Sequence, residues 1–319
     1  MLTGCAASPN PLAPIPGSGA PSQARVCPRG ESAPADLLKQ PNYRQVTFAA
    51  QTSNSLLPAK LTAGSLRLYQ GNKQLPIAYF WSEPVTVGIL VDNSGSMEPK
   101  LPRARDALNT FIRDLNPKDQ ILVATFADQP HLLAPLTTDH HLALDHLTMM
   151  HAFGRTALYD VILQGLHAVA QACSNRKALL VMTDGIDTAS SSSLSQVMDE
   201  AREVKVPIYS IGIGGSTATF QAANSSYIRG PLYGFHSSSD LESVDAKTLD
   251  TLAKATGGQS FLVALDDKGE SLKMAATAIA ANIGNRYIVG FIGDGSTNQL
   301  RIESPQHKEM VFKIESSKS

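Results

Sequence analysis

The chain has 319 residues, 43% of them hydrophobic and 17% charged, with 27 Lys and Arg against 28 Asp and Glu. This length and composition suit a folded α/β core with room for an accessory unit and exclude a chain disordered throughout. A net charge of −1 gives no broad electrostatic reason to bind nucleic acid or an anionic membrane surface. The apolar stretch 275–283 falls short of the roughly 18 residues that a spanning helix needs.

The first five residues, MLTGC, place Leu2, Thr3 and Gly4 before Cys5, a pattern that resembles the lipobox cleaved and acylated in bacterial lipoproteins. Residues 6–41 hold eight prolines among many Ala, Ser and Gly, the composition of an extended, solvated tether. Residues 1–41 are therefore read as a lipobox-like start and tether. Lipid attachment at Cys5 would put the protein outside the cytoplasm, in the periplasm or at the cell surface. Cys27 and Cys173 would be the thiols left in an oxidising compartment, and spacing alone does not decide whether they pair.

From residue 43 the pattern changes to short alternating runs. YRQVTFAA and SLRLYQGNKQLPIAYF read as strands, the second broken by a hairpin turn at Gly71-Asn72. Residues 42–84 form one half of an accessory β unit. NRYIVGF, NQLRIES and EMVFKIE, within 286–319, are short strands that could pair with that half.

Between the flanks, strand and helix alternate. VTVGILVD (85–92) is a near-continuous apolar run, as in a strand covered on both faces. Residues 101–115 put Ala104, Leu108, Phe111, Ile112 and Leu115 on one helical face. QILVATFA and HLLAPLT flank a turn at Asp128-Gln129 and predict an antiparallel hairpin. Helices follow at 139–150 and 157–172, then the strand 177–184, a helix near 193–203 and the strand 206–213. A helix near 247–256, the strand QSFLV and a helix near 268–284 complete residues 85–285, with 214–246 as a long insertion. The expected architecture is a Rossmann-like, doubly wound, mostly parallel sheet with one antiparallel edge strand, beside the small accessory β unit. Ligands of such sheets bind beyond the carboxyl ends of the strands.

Asp92, Ser94 and Ser96 follow the first core strand. Thr156 in HAFGRTALYD opens a helix, and Asp184 in MTDGID ends the strand 177–184. Together they resemble the metal-ion-dependent adhesion site of the von Willebrand factor A-type domain, over about residues 85–265. LRLYQGNKQLPIAYF and NRYIVGF are similar to segments of the VWFA-related secreted bacterial family. The resemblance implies Ser94 and Ser96 as direct ligands of Mg²⁺, Asp92 and Asp184 as charge balance acting largely through water, and Thr156 as a ligand in one state. Mg²⁺ is small and hard and prefers six oxygens; Ca²⁺ or Mn²⁺ can substitute at an oxygen-only site. A partner protein's Asp or Glu would fill the open position, aided by the positive end of the helix starting at 157. Asn93, Arg155 and Asp187 are candidates for the partner-binding rim, with a turn-capping role as the alternative for Asp187. Arg155 stands where many relatives have the second Gly of Gly-Gly-Thr.

Other chemistry is weaker. His140, His141, His146 and His151 crowd together without the i, i+4 spacing of a helical zinc site. IGIGGS (211–216) lacks the third glycine of a dinucleotide loop, and no Gly-x-Ser-x-Gly elbow is present. No His or Glu is placed as a general base beside the cation. The expected function is non-enzymatic: an extracytoplasmic, metal-dependent protein-binding domain for adhesion or assembly. The alternative is a structural or envelope-assembly lipoprotein whose metal only stabilises loops.

Overall fold

A computed structural model of the chain describes residues 32–52, 61–214, 221–222, 245–263 and 269–318. The first unit holds α1 (Ala35–Leu38), β1 (Tyr43–Thr52), β2 (Arg67–Gln70), β3 (Lys73–Leu75) and β4 (Ile77–Ser82). The central unit begins β5 (Thr86–Asp92), α2 (Leu101–Asp114), β6 (Gln120–Phe126), β7 (Pro130–Thr137), α3 (His140–Leu147) and α4 (Leu158–Ala170). It continues β8 (Lys177–Thr183), α5 (Leu194–Val204), β9 (Ile208–Ile213), β10 (Gln221–Ala222), α6 (Ala246–Thr256), β11 (Ser260–Val263) and α7 (Glu270–Ile283). β12 (Arg286–Ile292), β13 (Leu300–Glu303) and β14 (Met310–Lys318) end the chain.

The central sheet has the order β10-β11-β9-β8-β5-β6-β7. β11, β9, β8, β5 and β6 run parallel. β5 and β6 are buried along their whole length, as strands covered by helices on both faces must be. One face packs on α2, α3 and α7, where Leu108, Phe111 and Ile112 share a cluster with Ala275, Ala276 and Ile279. The other packs on α4, α5 and α6 through Ile162, Leu166, Val197, Leu249 and Leu252. β7 is the expected antiparallel edge. The single antiparallel edge predicted from the sequence becomes two, because β10 pairs antiparallel with β11 at the opposite edge. A two-residue strand inside the 214–246 stretch carries too short a pattern to be read. The remainder of that insertion, residues 215–220 and 223–244, lies outside the described residues, as do residues 1–31 of the expected tether 1–41. The tether's last ten residues are described and are not all extended, since they form α1.

The flanking strands build two sheets rather than one, ordered β14-β1-β12-β4 and β13-β2-β3. β1 pairs antiparallel with both β12 and β14, and β2 turns into β3 across Gly71-Asn72. Their inner faces share one apolar cluster containing Val46, Phe48, Leu68, Val289, Phe291 and Ile302. Tyr287 stacks between Phe48 and Phe80 with ring centroids 5.5 and 5.4 Å away.

Arg176, just before β8, ties the two units together. Its guanidinium donates to Glu83 O (2.9 Å) between β4 and β5, and to Ile283 O (2.6 Å) at the end of α7. A cation there also suits the negative end of the helix. Arg176→Ala is expected to destabilise the protein by about 2 kcal/mol, because two carbonyls lose their donor. A urea melt of the variant beside wild type measures it.

Candidate metal centre

β5 and β8 are parallel neighbours with Val91 opposite Met182, so their carboxyl ends bring Asp92 beside Thr183 and Asp184. The chain leaves β5 toward α2 on one face and β8 toward α5 on the other, which makes this the crevice of the sheet. Asp92 has no exposed surface and Asp184 is 2% exposed. The Ser94 N–H donates to Asp92 Oδ1 (2.8 Å) and the Thr183 hydroxyl to Asp92 Oδ2 (2.6 Å). Ser94 Oγ and Ser96 Oγ are hydrogen-bonded at 3.2 Å, and the Ser96 hydroxyl donates to Asp184 Oδ1 at 2.9 Å. Burial pushes the Asp92 carboxyl up to about 6; the nearby charge of Asp184 adds to the rise, and the bonds from Thr183 and Ser94 oppose it.

Thr156 reaches the same crevice from the loop before α4. A Cβ placed on Gly185 would lie 3.4 Å from Thr156 Oγ1 and 3.9 Å from Asp92 Oδ2. Gly185 therefore keeps open the space between these oxygens, and a side chain there would fill it. The loop is held by its backbone: Phe153 N–H donates to Asn93 O (2.8 Å), Gly95 N–H to Gly154 O (3.1 Å) and Ala157 N–H to Ala127 O (2.8 Å). Gly154 has φ +69°, which favours glycine, and a Cβ there would fall 2.2 Å from Asp128 Oδ2 and push that side chain away.

Of the three expected rim residues, Asn93 is buried, while Asp187 and Arg155 have partners within the chain. Asn93 is 2% exposed and is no rim contact; its amide donates inward to His151 O (2.8 Å) and ties the 151–153 segment to β5. Asp187 accepts from Tyr159 N–H (3.3 Å) and the Ser190 hydroxyl (2.5 Å), serving the first turn of α4, which has no side-chain cap of its own. Arg155 is exposed but engaged with Asp128 Oδ1 at 3.0 Å. Phe153 and Ile186 are half-exposed apolar residues in the loops that carry Thr156 and Asp184.

Two residues at this site escaped the sequence reading. Thr183 is visible only as the polar end of an otherwise apolar strand. Lys100 Nζ donates to Asp184 Oδ2 at 2.5 Å. The crowded histidines disperse: His140 Nε2 pairs with Asp119 O (2.9 Å) and His146 Nδ1 with Leu133 O (2.5 Å). Among the described residues no three His, Cys, Asp or Glu side chains gather to hold a metal, so a cation at this crevice depends on the hydroxyls. The donor set present is all oxygen, with two buried carboxylates side by side. It fits a hard divalent cation, which would relieve both the repulsion between them and the cost of burying them.

Residues 86–225 match the von Willebrand factor type A domain. An uncharacterized protein of Borreliella burgdorferi is 26% identical over 186 residues, covering 56% of this chain and 54% of that protein. A UPF0353 protein of Mycolicibacterium paratuberculosis is 28% identical over 229 residues, covering 67% and 64%. The chain thus spans between half and two thirds of the length of these relatives. The solved structure of a von Willebrand factor type A protein from Catenulispora acidiphila is similar over 87% of this chain and 72% of that one, at 15% identity and a TM-score of 0.48. Residues 86–225, which hold most of the doubly wound sheet and the crevice at its carboxyl edge, are thus the part of the chain that matches the von Willebrand factor type A domain.

Proposed function

We propose that this domain binds a partner protein through a divalent cation, Mg²⁺ by preference, held by Asp92, Ser94, Ser96, Thr156 and Asp184. The observation that carries the reading is the continuous run of oxygens from Asp92 through Ser94 and Ser96 to Asp184, with the Thr156 hydroxyl beside it. Ser94, Ser96 and Thr156 would supply neutral oxygens, and the two carboxylates would supply charge. A bound cation would offer a Lewis-acidic position to an acidic side chain of the partner. Phe153 and Ile186 would add apolar contact around that side chain, a combination of a central polar anchor and flanking apolar area found in protein interfaces.

The role is one of binding rather than catalysis. Among the described groups that touch the two carboxylates, Thr183, Ser94, Ser96 and Lys100 are donors, and none is a base set to activate water. Chromogenic esters and phosphates are expected to show no turnover. An extracytoplasmic location is supported by Cys173, which is disulfide-bonded, since such bonds persist in oxidising compartments. Cys5 and Cys27, and with them the lipid anchor, lie outside the described residues. Among the described residues no helix is long and apolar enough to cross a membrane.

The test is calorimetric titration of Mg²⁺ and Mn²⁺ into chelator-stripped protein, with Ser96→Ala beside it. Ser96 is exposed and loses only a hydroxyl, so the variant is expected to fold normally and bind either ion at least about tenfold more weakly. Metal-dependent capture of an envelope protein by wild type, lost in Ser96→Ala, supports the partner role. A cation that raises the melting temperature without altering capture favours the loop-stabilising alternative. Unchanged binding by Ser96→Ala would remove the proposed site.

A further inference from the structure

We propose that Lys100 is a tethered counter-ion, which holds Asp184 in the cation-free protein and must release it when a divalent cation enters. This rests on the cation site proposed above. Lys100 Nζ donates to Asp184 Oδ2 at 2.5 Å, with the lysine side chain 14% exposed and the Asp184 side chain buried. The Ser96 hydroxyl takes Asp184 Oδ1, so both carboxylate oxygens are engaged.

The position of this lysine has no local explanation. Lys100 is the N-cap of α2, with no side-chain cap bond and no acidic residue in the first turn. A cation there faces the positive end of the helix dipole, which disfavours it. The lysine gains its place from Asp184, a residue 84 positions along the chain.

Charge counting gives the consequence. Asp92 and Asp184 carry two negative charges and Lys100 returns one, so the cation-free crevice holds a single net negative charge. A divalent cation added with the ammonium still in place would bring that to a net positive charge. With the ammonium withdrawn to solvent, the same cation is neutralised. Entry of the cation therefore works against Lys100, and the flexible four-carbon stem allows the head to swing out toward water. The lysine thus keeps the loop closed and folded without metal, weakens divalent binding, and sets a threshold concentration below which the partner-binding position does not form.

The experiment uses the full chain stripped of metal, titrated with Mn²⁺ and followed by the paramagnetic resonance of the free ion. Lys100→Met removes the charge and keeps the stem; Lys100→Arg keeps the charge. Lys100→Met is expected to bind Mn²⁺ on the order of tenfold more tightly than wild type, and to melt at a lower temperature in chelator. Lys100→Arg should bind within about threefold of wild type. Equal or weaker Mn²⁺ binding by folded Lys100→Met would overturn the proposal. A second measurement needs no variant: the acetylation rate of Lys100, mapped by mass spectrometry in wild type, should rise several-fold on saturation with Mg²⁺ or Mn²⁺. An unchanged rate while the ion binds would show that the lysine is not displaced. If neither wild type nor Lys100→Met binds Mn²⁺, the cation site itself is wrong and this inference goes with it. Binding of equal strength in both leaves the site standing and removes only the lysine's role.

Discussion

Asp92→Asn is expected to separate cation binding from folding. The Asp92 carboxylate has no exposed surface, and its pKa is pushed up to about 6 by burial first and by Asp184 in addition. Against an ordinary value of 3.8, that rise means the ionised side chain costs the folded state on the order of 2–3 kcal/mol at neutral pH. Asparagine removes the charge while preserving the contacts. Its Oδ1 still accepts from the Ser94 N–H, and its amide can donate to Thr183 Oγ1, a hydroxyl oxygen with lone pairs to spare that already accepts from the Gly185 N–H at 3.1 Å. In chelator, Asp92→Asn should therefore melt at or above wild type, by up to about 5 °C. With Mg²⁺ at roughly a hundred times its dissociation constant, wild type should gain about 2.7 kcal/mol from binding, and the variant should gain nothing. Thermal melts of both proteins with and without Mg²⁺ decide it. A variant retaining the full Mg²⁺ shift, or one strongly destabilised in chelator, would contradict the picture of a charge buried for a cation.

Gly258→Ala should cost about 4 kcal/mol or more, and Gly257→Ala only about 1 kcal/mol. The two glycines are neighbours after α6 and are required for different reasons. Gly257 caps the helix in the left-handed region, φ +80°, with nothing near where a Cβ would stand. An alanine there meets conformational strain alone. At Gly258 a Cβ would stand 1.9 Å from Ile208 O and 2.5 Å from Ile208 C. Those are backbone atoms at the start of β9, which pairs with β8 and β11 in the central sheet and cannot swing aside as a side chain does. Chemical denaturation of the two variants measures the contrast. Similar losses at both positions would mean that the α6–β11 turn yields more easily than this packing implies.

Much of the molecule was legible along the chain because its signals are local. The largely apolar strands 86–92 and 120–126, the helical stripe 101–115 and the turn at Gly71-Asn72 each follow from side-chain periodicity or turn chemistry over a few residues. Asp92, Ser94, Ser96, Thr156 and Asp184 were recognisable because, at one strand end, a helix start and a second strand end in that order, they resemble the metal-ion-dependent adhesion site. The structure brings these five residues to one crevice.

Other features depended on which segments meet. Asn93 reads as a surface loop residue from its neighbours, yet the return of the 151–153 segment over β5 buries it. Asp187 reads from its neighbours as a turn cap or a rim residue, and the arrival of α4, whose Tyr159 N–H it accepts, decides for the cap. The second antiparallel edge and the division of the flanking strands into two sheets follow from long-range pairings, which no local pattern encodes.

The sequence by itself determined the strand–helix alternation and the core faces, because hydrophobic period is a property of short segments, and the five candidate ligands came from the resemblance of their motifs to the metal-ion-dependent adhesion site. Only the tertiary structure decided that Lys100 stands against Asp184, that Thr183 holds Asp92, and that Gly258 but not Gly257 is pressed against a backbone. Those contacts join residues 84 and 91 positions apart for the two hydrogen bonds and Gly258 to Ile208 across the α6–β11 turn, and electrostatics and close packing act through distance in space rather than along the chain.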